Sequence, residues 1–459
     1  MPAPVCLVPW EAPAPETAFA RLQGRRGVFW LDSSLRTAAG RFSLLGCEPF
    51  GIFRARGAAS EFRWADGRIE ARRGDPRAEL ERHLALYQVV RDDRRPVPFC
   101  GGAVGFLGYD FARNADNYLG GGAPEPDAHV AWHDAAAVWD HVTGRAWLVG
   151  AGWNRPAETA VAELRGWLES AGAAPADGAT TPVPLRGDFT AARYGAAVES
   201  VRARIAAGEI YQMNLAQRFT APLSEPPAAL YRRLRALNPA PMGAFLDAGD
   251  CAVLSSSPER FFAVAGGRIR TFPVKGTRPR GATPAEDRAN AAELLGSEKE
   301  RAELLMIVDL LRNDLGRVCR FGTVVVRRLH DLETFATVHH LVGEVEGELR
   351  PHVGMAELLG AMFPGGSITG APKVRAMQVI AETEPVARGV FSGALGYWSA
   401  DGRIDLAIAI RTIVCRGHQA SFHVGAGIVW DSQPVMEYNE TLAKGEALRA
   451  ALGGKEWPG

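Results

Sequence analysis

Cysteine is scarce in this chain. The six residues, Cys6, Cys47, Cys100, Cys251, Cys319 and Cys415, lie far apart, and none forms a C-x-x-C pair or a zinc-finger spacing. That excludes a disulfide framework and a structural zinc module and predicts a reduced, cytoplasmic protein. Net charge is also lacking, since 52 Lys plus Arg balance 52 Asp plus Glu. Nucleic-acid binding, which needs a basic stripe, is therefore not expected. The first ten residues lack a basic start followed by an apolar stretch, so no signal peptide is predicted. No apolar run is long enough to span a bilayer, so no membrane association is predicted. No internal repeat is found.

What is present is ordinary globular composition, 47% hydrophobic and 23% charged over 459 residues, enough for two or three domains or one large one. Short β-type runs at 27–31, 50–54, 103–108, 130–139 and 146–149, with helical patterns at 76–87 and 156–168, make up a mixed first part. Residues 171–187 are mostly Ala, Gly, Pro and Thr without periodicity and read as a linker or crossover. The predicted organisation is an N-terminal region over 1–175 and a catalytic domain over 188–455. A helix at 190–207, closed by Gly208, opens the second part. Strands follow at 210–219, 243–246, 252–255, 260–264, 268–272, 323–329, 339–345, 392–398, 405–414 and 421–426. Helices are predicted at 227–236, 285–295, 297–315, 354–362, 372–382 and 434–452. Strands in runs with helices between them, and the Gly266-Gly267 hairpin signal, predict an α+β fold with antiparallel pairing.

Several short segments carry candidate chemistry. In Pro273-Val274-Lys275-Gly276-Thr277-Arg278-Pro279-Arg280-Gly281 a lysine follows a strand and stands beside a glycine and two arginines. Taken alone, it reads as a solvated turn residue. The helix at 297–315 places Glu300 and Glu303 on one face in its first turns, where acids suit the dipole. The last helix stacks Glu437, Glu440 and Lys444 at steps of three and four. An exposed Glu440–Lys444 pair, contributing about 0.3–0.5 kcal/mol, is one account of them. The other is a Mg²⁺ site in which these carboxylates meet Glu303, since hard cations take a few oxygens and keep waters. The segment 364–373, PGGSITGAPK, is a glycine-rich turn opening a helix, with Pro372 at its first position and Lys373 as a candidate charge. Ala371 replaces the lysine of a P-loop, so an anion-binding turn or a plain turn remains. Arg411 interrupts an apolar run and needs an anionic partner. Gly425 and Gly427 end a strand and permit close approach of a ligand or form a bulge.

Seven segments in order, GEIYQMNLAQRF (208–219), SSPERF (256–261), PVKGTRPRG (273–281), SEKERAELLMIVDLLRNDLGRV (297–318), PGGSITGAPK (364–373), AIRT (409–412) and VGAGIV…EYNETLAKGEAL (424–448), resemble the chorismate-utilising enzyme family. That family includes anthranilate synthase component I, aminodeoxychorismate synthase component I, isochorismate synthase and salicylate synthase. GRFSLLG (40–46) and GGAVGFLGYD (101–110) extend the resemblance to the first part. It implies two large antiparallel sheets packed together with helices outside. It implies Mg²⁺ held by Glu303 and Glu440, with Glu437 adjacent or water-linked. Thr369, Gly370, Arg411 and Gly427 match the substrate carboxylate pocket, Lys444 the lysine near it, and His340 the histidine at the ring. Positions resembling a tryptophan pocket are Ser33, Gly40, Arg41, Phe42, Pro241, Met242 and Gly243. Asp32-Ser33-Ser34 departs from the Leu-Leu-Glu-Ser of feedback-regulated members, so tryptophan is a possible ligand without implied regulation.

Two positions select among the family's chemistries. Gln212 stands where water-using members carry a base lysine, which implies ammonia as the nucleophile. Lys275 stands where anthranilate synthases carry alanine. With Tyr211-Gln212-Met213-Asn214-Leu215 it resembles the aminodeoxychorismate synthase component I group. The implied chemistry is attack of Lys275 on C2 of chorismate, loss of the C4 hydroxyl, then addition of ammonia at C4, with Glu259 handling protons and Thr277 beside the substrate. A nucleophilic lysine must be unprotonated, which desolvation or nearby cations such as Arg278 and Mg²⁺ favour. No cysteine stands in a glutaminase pattern, so ammonia is expected from a separate glutamine amidotransferase. The chain ends soon after Leu452, and a fused lyase is not expected. The alternatives are anthranilate synthase component I and a non-catalytic chorismate-binding subunit.

Overall fold

A computed structural model describes residues 3–37, 39–115, 122–170, 182–334 and 338–458. Most of the predicted linker, residues 171–181, lies outside them. The described residues build two sheets of twelve strands each, antiparallel throughout. In the first sheet Val5–Pro9, Arg145–Ala151, Ala135–Asp140, Phe42–Gly46 and Phe29–Asp32 lead into Met242–Asp247 and Ala252–Ser257. Thr412–Arg416, Gln419–Ile428, Gln212–Pro222 and Arg186–Gly187 complete it, with Gly370–Ala371 on Gln212–Pro222. In the second, Val274–Pro279, Val338–Glu348, Arg268–Thr271, Arg260–Ala265, Ile404–Ile408 and Ala394–Ser399 continue into Gly102–Leu107, Ala128–His133 and Gly51–Arg56. Ala59–Trp64 and Ile69–Arg73 close that row, and Val325–Thr334 also pairs with Val338–Glu348. Both sheets therefore run on without a break between strands from the two parts of the sequence.

The apolar pattern explains the layering. Leu44, Val138, Ala244, Leu246 and Val253 of the first sheet cluster with Val104, Phe106, Leu395 and Ala407 of the second, forming the layer between them. The outer faces pack on helices. Phe19, Leu164, Leu230 and Leu448 cover the first sheet, and Leu80, Leu304, Ile307 and Leu358 cover the second. Helix starts follow local chemistry: Asp75, Thr190, Thr283 and Ser297 each accept a backbone N–H of the turn they open. Gly208 takes a left-handed φ of 75° just past the end of Ala191–Ala206, as that position requires.

Two predicted strands are each broken in the structure. The run 130–139 is two strands, Ala128–His133 in the second sheet and Ala135–Asp140 in the first. The run 405–414 is likewise Ile404–Ile408 and Thr412–Arg416, in different sheets. Each break carries a charged residue, Asp134 in the first and Arg411 in the second, but apolar residues flank both because both sheets feed the same core, so the local pattern does not show that the chain changes sheets. The segment around Lys275 is also not a turn. Val274–Pro279 is a strand with Lys275 opposite Leu341.

Arg388 ties the glycine-rich turn to the first sheet. It is 2% exposed and donates to Glu384, to the carbonyls of Ile368 and Asn214 (both 2.8 Å) and to Ser392 Oγ. Glu384 in turn accepts the backbone N–H of Ala216 at 2.8 Å. Arg388→Ala strands the buried Glu384 carboxylate and two carbonyls. Chemical denaturation is expected to show a loss of about 3–5 kcal/mol of stability, the scale for breaking a buried ion pair.

Candidate active site

The site lies where two neighbouring strands cross together from one sheet to the other. Ala252–Ser257 pairs with Thr412–Arg416 in the first sheet, and Arg260–Ala265 pairs with Ile404–Ile408 in the second. Between them, Ile408 N donates to Glu259 O at 3.0 Å, Ser257 Oγ to Ile408 O at 2.7 Å, and Ser256 N to Arg411 O at 3.0 Å. Glu259 and Arg411 are thus the residues at the bends. Arg411 has φ 51°, a left-handed backbone that a strand does not adopt.

Glu259 is buried, and burial pushes its carboxyl up to about 7. A hydrogen bond from Ser367 Oγ at 2.9 Å, the Lys275 ammonium and the more distant Lys444 limit the rise. The side chain of Lys275, half-buried on the strand Val274–Pro279, has no hydrogen bond or ion pair among the described residues. Its charge nonetheless acts on three carboxylates, those of Glu259, Glu303 and Glu440. Arg278 does not supply a free cation beside it, because its guanidinium pairs with Glu293 and Glu300.

Two helices bring the acids. Glu303 stands on Glu298–Gly316, while Glu437 and Glu440 stand on Pro434–Ala451. Burial raises Glu303, Lys275 opposes the rise, and the charges of Glu300 and Glu440 add to it. Burial also raises Glu437, against a hydrogen bond from Ser432. Burial disfavours charge on Glu440 too, but Lys444, 2.6 Å away, with Lys275 and Lys299 holds it below the ordinary range. Lys444 also donates to Gly425 O at 3.0 Å, so the predicted pair anchors the end of a strand. Among the described residues no three His, Cys, Asp or Glu side chains stand close enough to form a metal cage by themselves.

A second group of predicted residues adjoins these. Gly370, at φ 153°, pairs with Met213, and a Cβ there would lie 2.2 Å from Gln212 O. Gly427 lies under the Gln212 side chain, where a Cβ would meet Nε2 at 2.9 Å. Gln212 Oε1 is buried without a hydrogen-bond partner. Thr369 Oγ1 donates to Gly365 O at 2.9 Å, and its carbonyl accepts Asn214 N at 2.7 Å. Burial alone lowers the affinity of Arg411 for its proton, and its guanidinium has no acceptor among the described residues. Its charge acts on His340, whose Nδ1 lies 3.0 Å from both Gly276 O and Thr277 Oγ1. A carbonyl only accepts, so the contact assigns that proton to Nδ1. Burial keeps His340 below its ordinary value.

Other predicted positions are used differently. Lys373 is not available to an incoming anion: it pairs with buried Asp314 at 2.5 Å and donates to Met362 O at 3.1 Å. Pro372 caps the helix Lys373–Thr383 instead of opening it at the first position. The tryptophan-pocket positions do converge, with Ser33 Oγ donating to Phe42 O at 2.7 Å and Pro241 O at 3.1 Å. A Cβ on Gly40 would strike Leu35 O at 2.4 Å, and Gly243 and Met242 pair with Ser256 and Ser257. Arg41 is engaged by Asp140 at 2.7 Å. Ser367, Glu384 and Arg388 were not anticipated. A serine inside a Gly-rich turn and a lone arginine in the apolar run Pro385–Phe391 were the available signals.

The raised Glu259 carboxyl has a consequence for stability. Its folded value of about 7 exceeds the ordinary 4.5, so its contribution is fully present below about pH 4.5 and is lost as pH rises through 7. Glu259→Gln is therefore expected to raise the melting temperature relative to the parent at pH 8 and to leave it nearly unchanged at pH 4.5. Thermal denaturation at the two pH values checks this.

Comparison with known proteins places the chain in a family. Residues 35–450 match the chorismate binding enzyme family. Aminodeoxychorismate synthase component 1 of Bacillus subtilis is 36% identical, covering 94% of this chain and 92% of that one. Anthranilate synthase component 1 of Streptomyces coelicolor is 39% identical, covering 96% and 87%. Aminodeoxychorismate synthase of Streptomyces griseus is 40% identical over 98% of this chain, which spans 64% of that protein's length. The crystal structure of anthranilate synthase component I from Streptococcus pneumoniae superposes with a TM-score of 0.78 at 31% identity, covering 97% and 98%. With nearly its whole length matched and the two-sheet fold shared, the chain belongs to the chorismate binding enzyme family.

Proposed function

We propose that this chain is the chorismate-converting component of an aminodeoxychorismate synthase, acting in 4-aminobenzoate and folate biosynthesis. The observation that carries the reading is Lys275, free of partners among the described residues and aimed among Glu259, Glu303 and Glu440. A lysine serving only structure would be paired. The named relatives include both aminodeoxychorismate and anthranilate synthases, so Lys275 rather than overall identity favours the first.

In this reading Arg411 takes a carboxylate of chorismate, for a buried guanidinium without an acceptor is costly until an anion arrives. Thr369, Gly370, Gly427 and Lys444 shape the same pocket, and His340, fixed by Gly276 and Thr277, stands at the ring. Glu303 and Glu440 are hard oxygen donors on two helices whose charges repel each other. They suit Mg²⁺, which needs one or two carboxylates with water and substrate, and Glu437 would support them from the adjoining turn. The ion would hold a substrate carboxylate and offset developing charge.

The Lys275 amine, once neutral, adds to C2, both conjugated ring double bonds shift one position, and the C4–O bond breaks. Glu259, with a carboxyl near 7, gives the departing hydroxyl its proton. Ammonia then adds at C4, both double bonds shift back, and the C2–N bond to Lys275 breaks, leaving 4-amino-4-deoxychorismate. The excess proton on the incoming nitrogen returns to Glu259. The six cysteines are no source of a glutaminase nucleophile. Burial raises every one of them, Cys47, Cys251 and Cys415 to about 12. A separate glutamine amidotransferase supplies the ammonia in this reading.

Intact mass spectrometry after chorismate and Mg²⁺ without ammonia should show an adduct on the parent and none on Lys275→Ala; no adduct on either refutes the covalent route. With ammonium present, the parent should consume chorismate without producing anthranilate fluorescence. Anthranilate formed with no added lyase would establish the tryptophan-type reaction instead. No consumption at all would leave a chorismate-binding subunit.

A further inference from the structure

Glu259 has its backbone fixed on both sides. Its N–H donates to Ser257 Oγ at 3.3 Å, and its carbonyl accepts Ile408 N at 3.0 Å. Only the side chain is left to take a direction. Two donors reach its carboxyl: Ser367 Oγ, 2.9 Å from Oε1, and the backbone N–H of Val274, the residue before Lys275. The carboxyl therefore bridges the glycine-rich turn and the strand that carries Lys275.

Ser367 is held more firmly than a turn serine needs to be. It is buried in the middle of the short turn Gly366–Ile368. That turn is closed on both sides of it, since Thr369 Oγ1 donates to Gly365 O at 2.9 Å and Arg388 donates to Ile368 O at 2.8 Å. It is also seated on the helix Glu298–Gly316, because a Cβ on Gly366 would lie 2.2 Å from Leu310. Other groups thus close the turn, and the Ser367 hydroxyl takes no part in it. Among the described residues its one hydrogen-bond partner is Glu259. A buried hydroxyl spent on one carboxyl oxygen serves that carboxyl.

We propose that Ser367 is a positioning residue of the reaction, fixing which oxygen of Glu259 carries the proton given to the departing hydroxyl and recovered from the incoming nitrogen. The inference rests on the acid–base reading of Glu259 given above and adds the residue that directs it. Because the hydroxyl donates to Oε1, that oxygen acts as an acceptor and the transferable proton falls to Oε2. A carboxyl free to rotate would present either oxygen, whereas proton transfer needs one geometry. The same bond is stronger to the carboxylate than to the acid, so it opposes the effect of burial. Lys275 from Val274–Pro279 and Lys444 from Pro434–Ala451 act in the same sense. Arg411 stands at the neighbouring bend. Glu303 and Glu440 draw on the Lys275 charge, and Arg260 and Lys373 are engaged by Asp405 and Asp314. Ser367 is uncharged, so its removal alters Glu259 and leaves every one of these charges in place.

The test uses the full chain with chorismate and Mg²⁺, without ammonia, and follows the rate of lysine-adduct formation against pH. The parent's profile should turn near 7, where Glu259 titrates. In Ser367→Ala that inflection should move up by about one unit, a tenfold change in proton affinity and the scale of one lost hydrogen bond to a charged group. At about pH 6 the adduct rate should also fall about tenfold, with the half-saturating chorismate concentration within about twofold of the parent's. Ser367→Thr, which keeps the hydroxyl, should restore both. An infrared titration of the buried carboxyl C=O stretch, identified by its absence in Glu259→Gln, reads the same shift without turnover. If Ser367→Ala fails to fold, Ser367→Cys, with its weaker donor, carries the same expectation. An inflection that stays at the parent's value, or that moves equally in Ser367→Thr, overturns the inference. So does a loss confined to melting temperature and chorismate affinity, which would make the serine a part of the turn alone. A parent that forms no adduct and consumes no chorismate with ammonium defeats the functional reading itself, a different outcome from a working parent whose variants keep its pH profile.

Discussion

The interaction on which the rest depends is the side-by-side crossing of two antiparallel strand pairs between sheets. Ser256 and Ser257 bond to the backbone of Arg411 and Ile408, so neither bend forms without the other. The crossing places a carboxylate from one strand and a guanidinium from its neighbour at the same seam. Both are deprived of solvent, and both are deprived for the same reason: two apolar sheet faces close around them. That desolvation raises Glu259 and leaves Arg411 in need of an anion.

The remaining parts are brought to the seam from three directions. Val274–Pro279 delivers Lys275 from the edge of the second sheet. The helices Glu298–Gly316 and Pro434–Ala451 deliver the acids and Lys444 from outside. The turn 365–371, held down by Arg388, delivers Ser367 and Thr369. None of these elements holds the constellation by itself. The same turn pairs through Gly370 and Ala371 with Met213 and Gln212, so it also holds the start of the strand Gln212–Pro222.

Much of this was legible from local pattern. Ser297 and the acids after it marked the start of a helix. The steps among Glu437, Glu440 and Lys444 put them on one face, and the Gly266-Gly267 turn marked a hairpin, seen with Ala265 opposite Arg268. Legibility failed where one composition serves two structures. In the run from Ile404 to Val414 apolar residues stand on both sides of Arg411, so the arginine marked an interruption but not that the chain changes sheets there. Lys373 looked like a free charge because its partner, Asp314, lies fifty-nine residues away on another helix.

By itself the sequence determined the family, the antiparallel α+β character and the residues that could do chemistry, because segment order, periodicity and residue type are properties of the chain read locally. The tertiary structure alone decided which of those residues meet. It made Lys275 a strand residue among carboxylates rather than a solvated turn and spent Lys373 and Arg278 on structural partners. The reason is physical: charge and hydrogen-bonding capacity belong to a residue, but desolvation and partnership belong to its surroundings, and those are assembled from parts of the chain hundreds of residues apart.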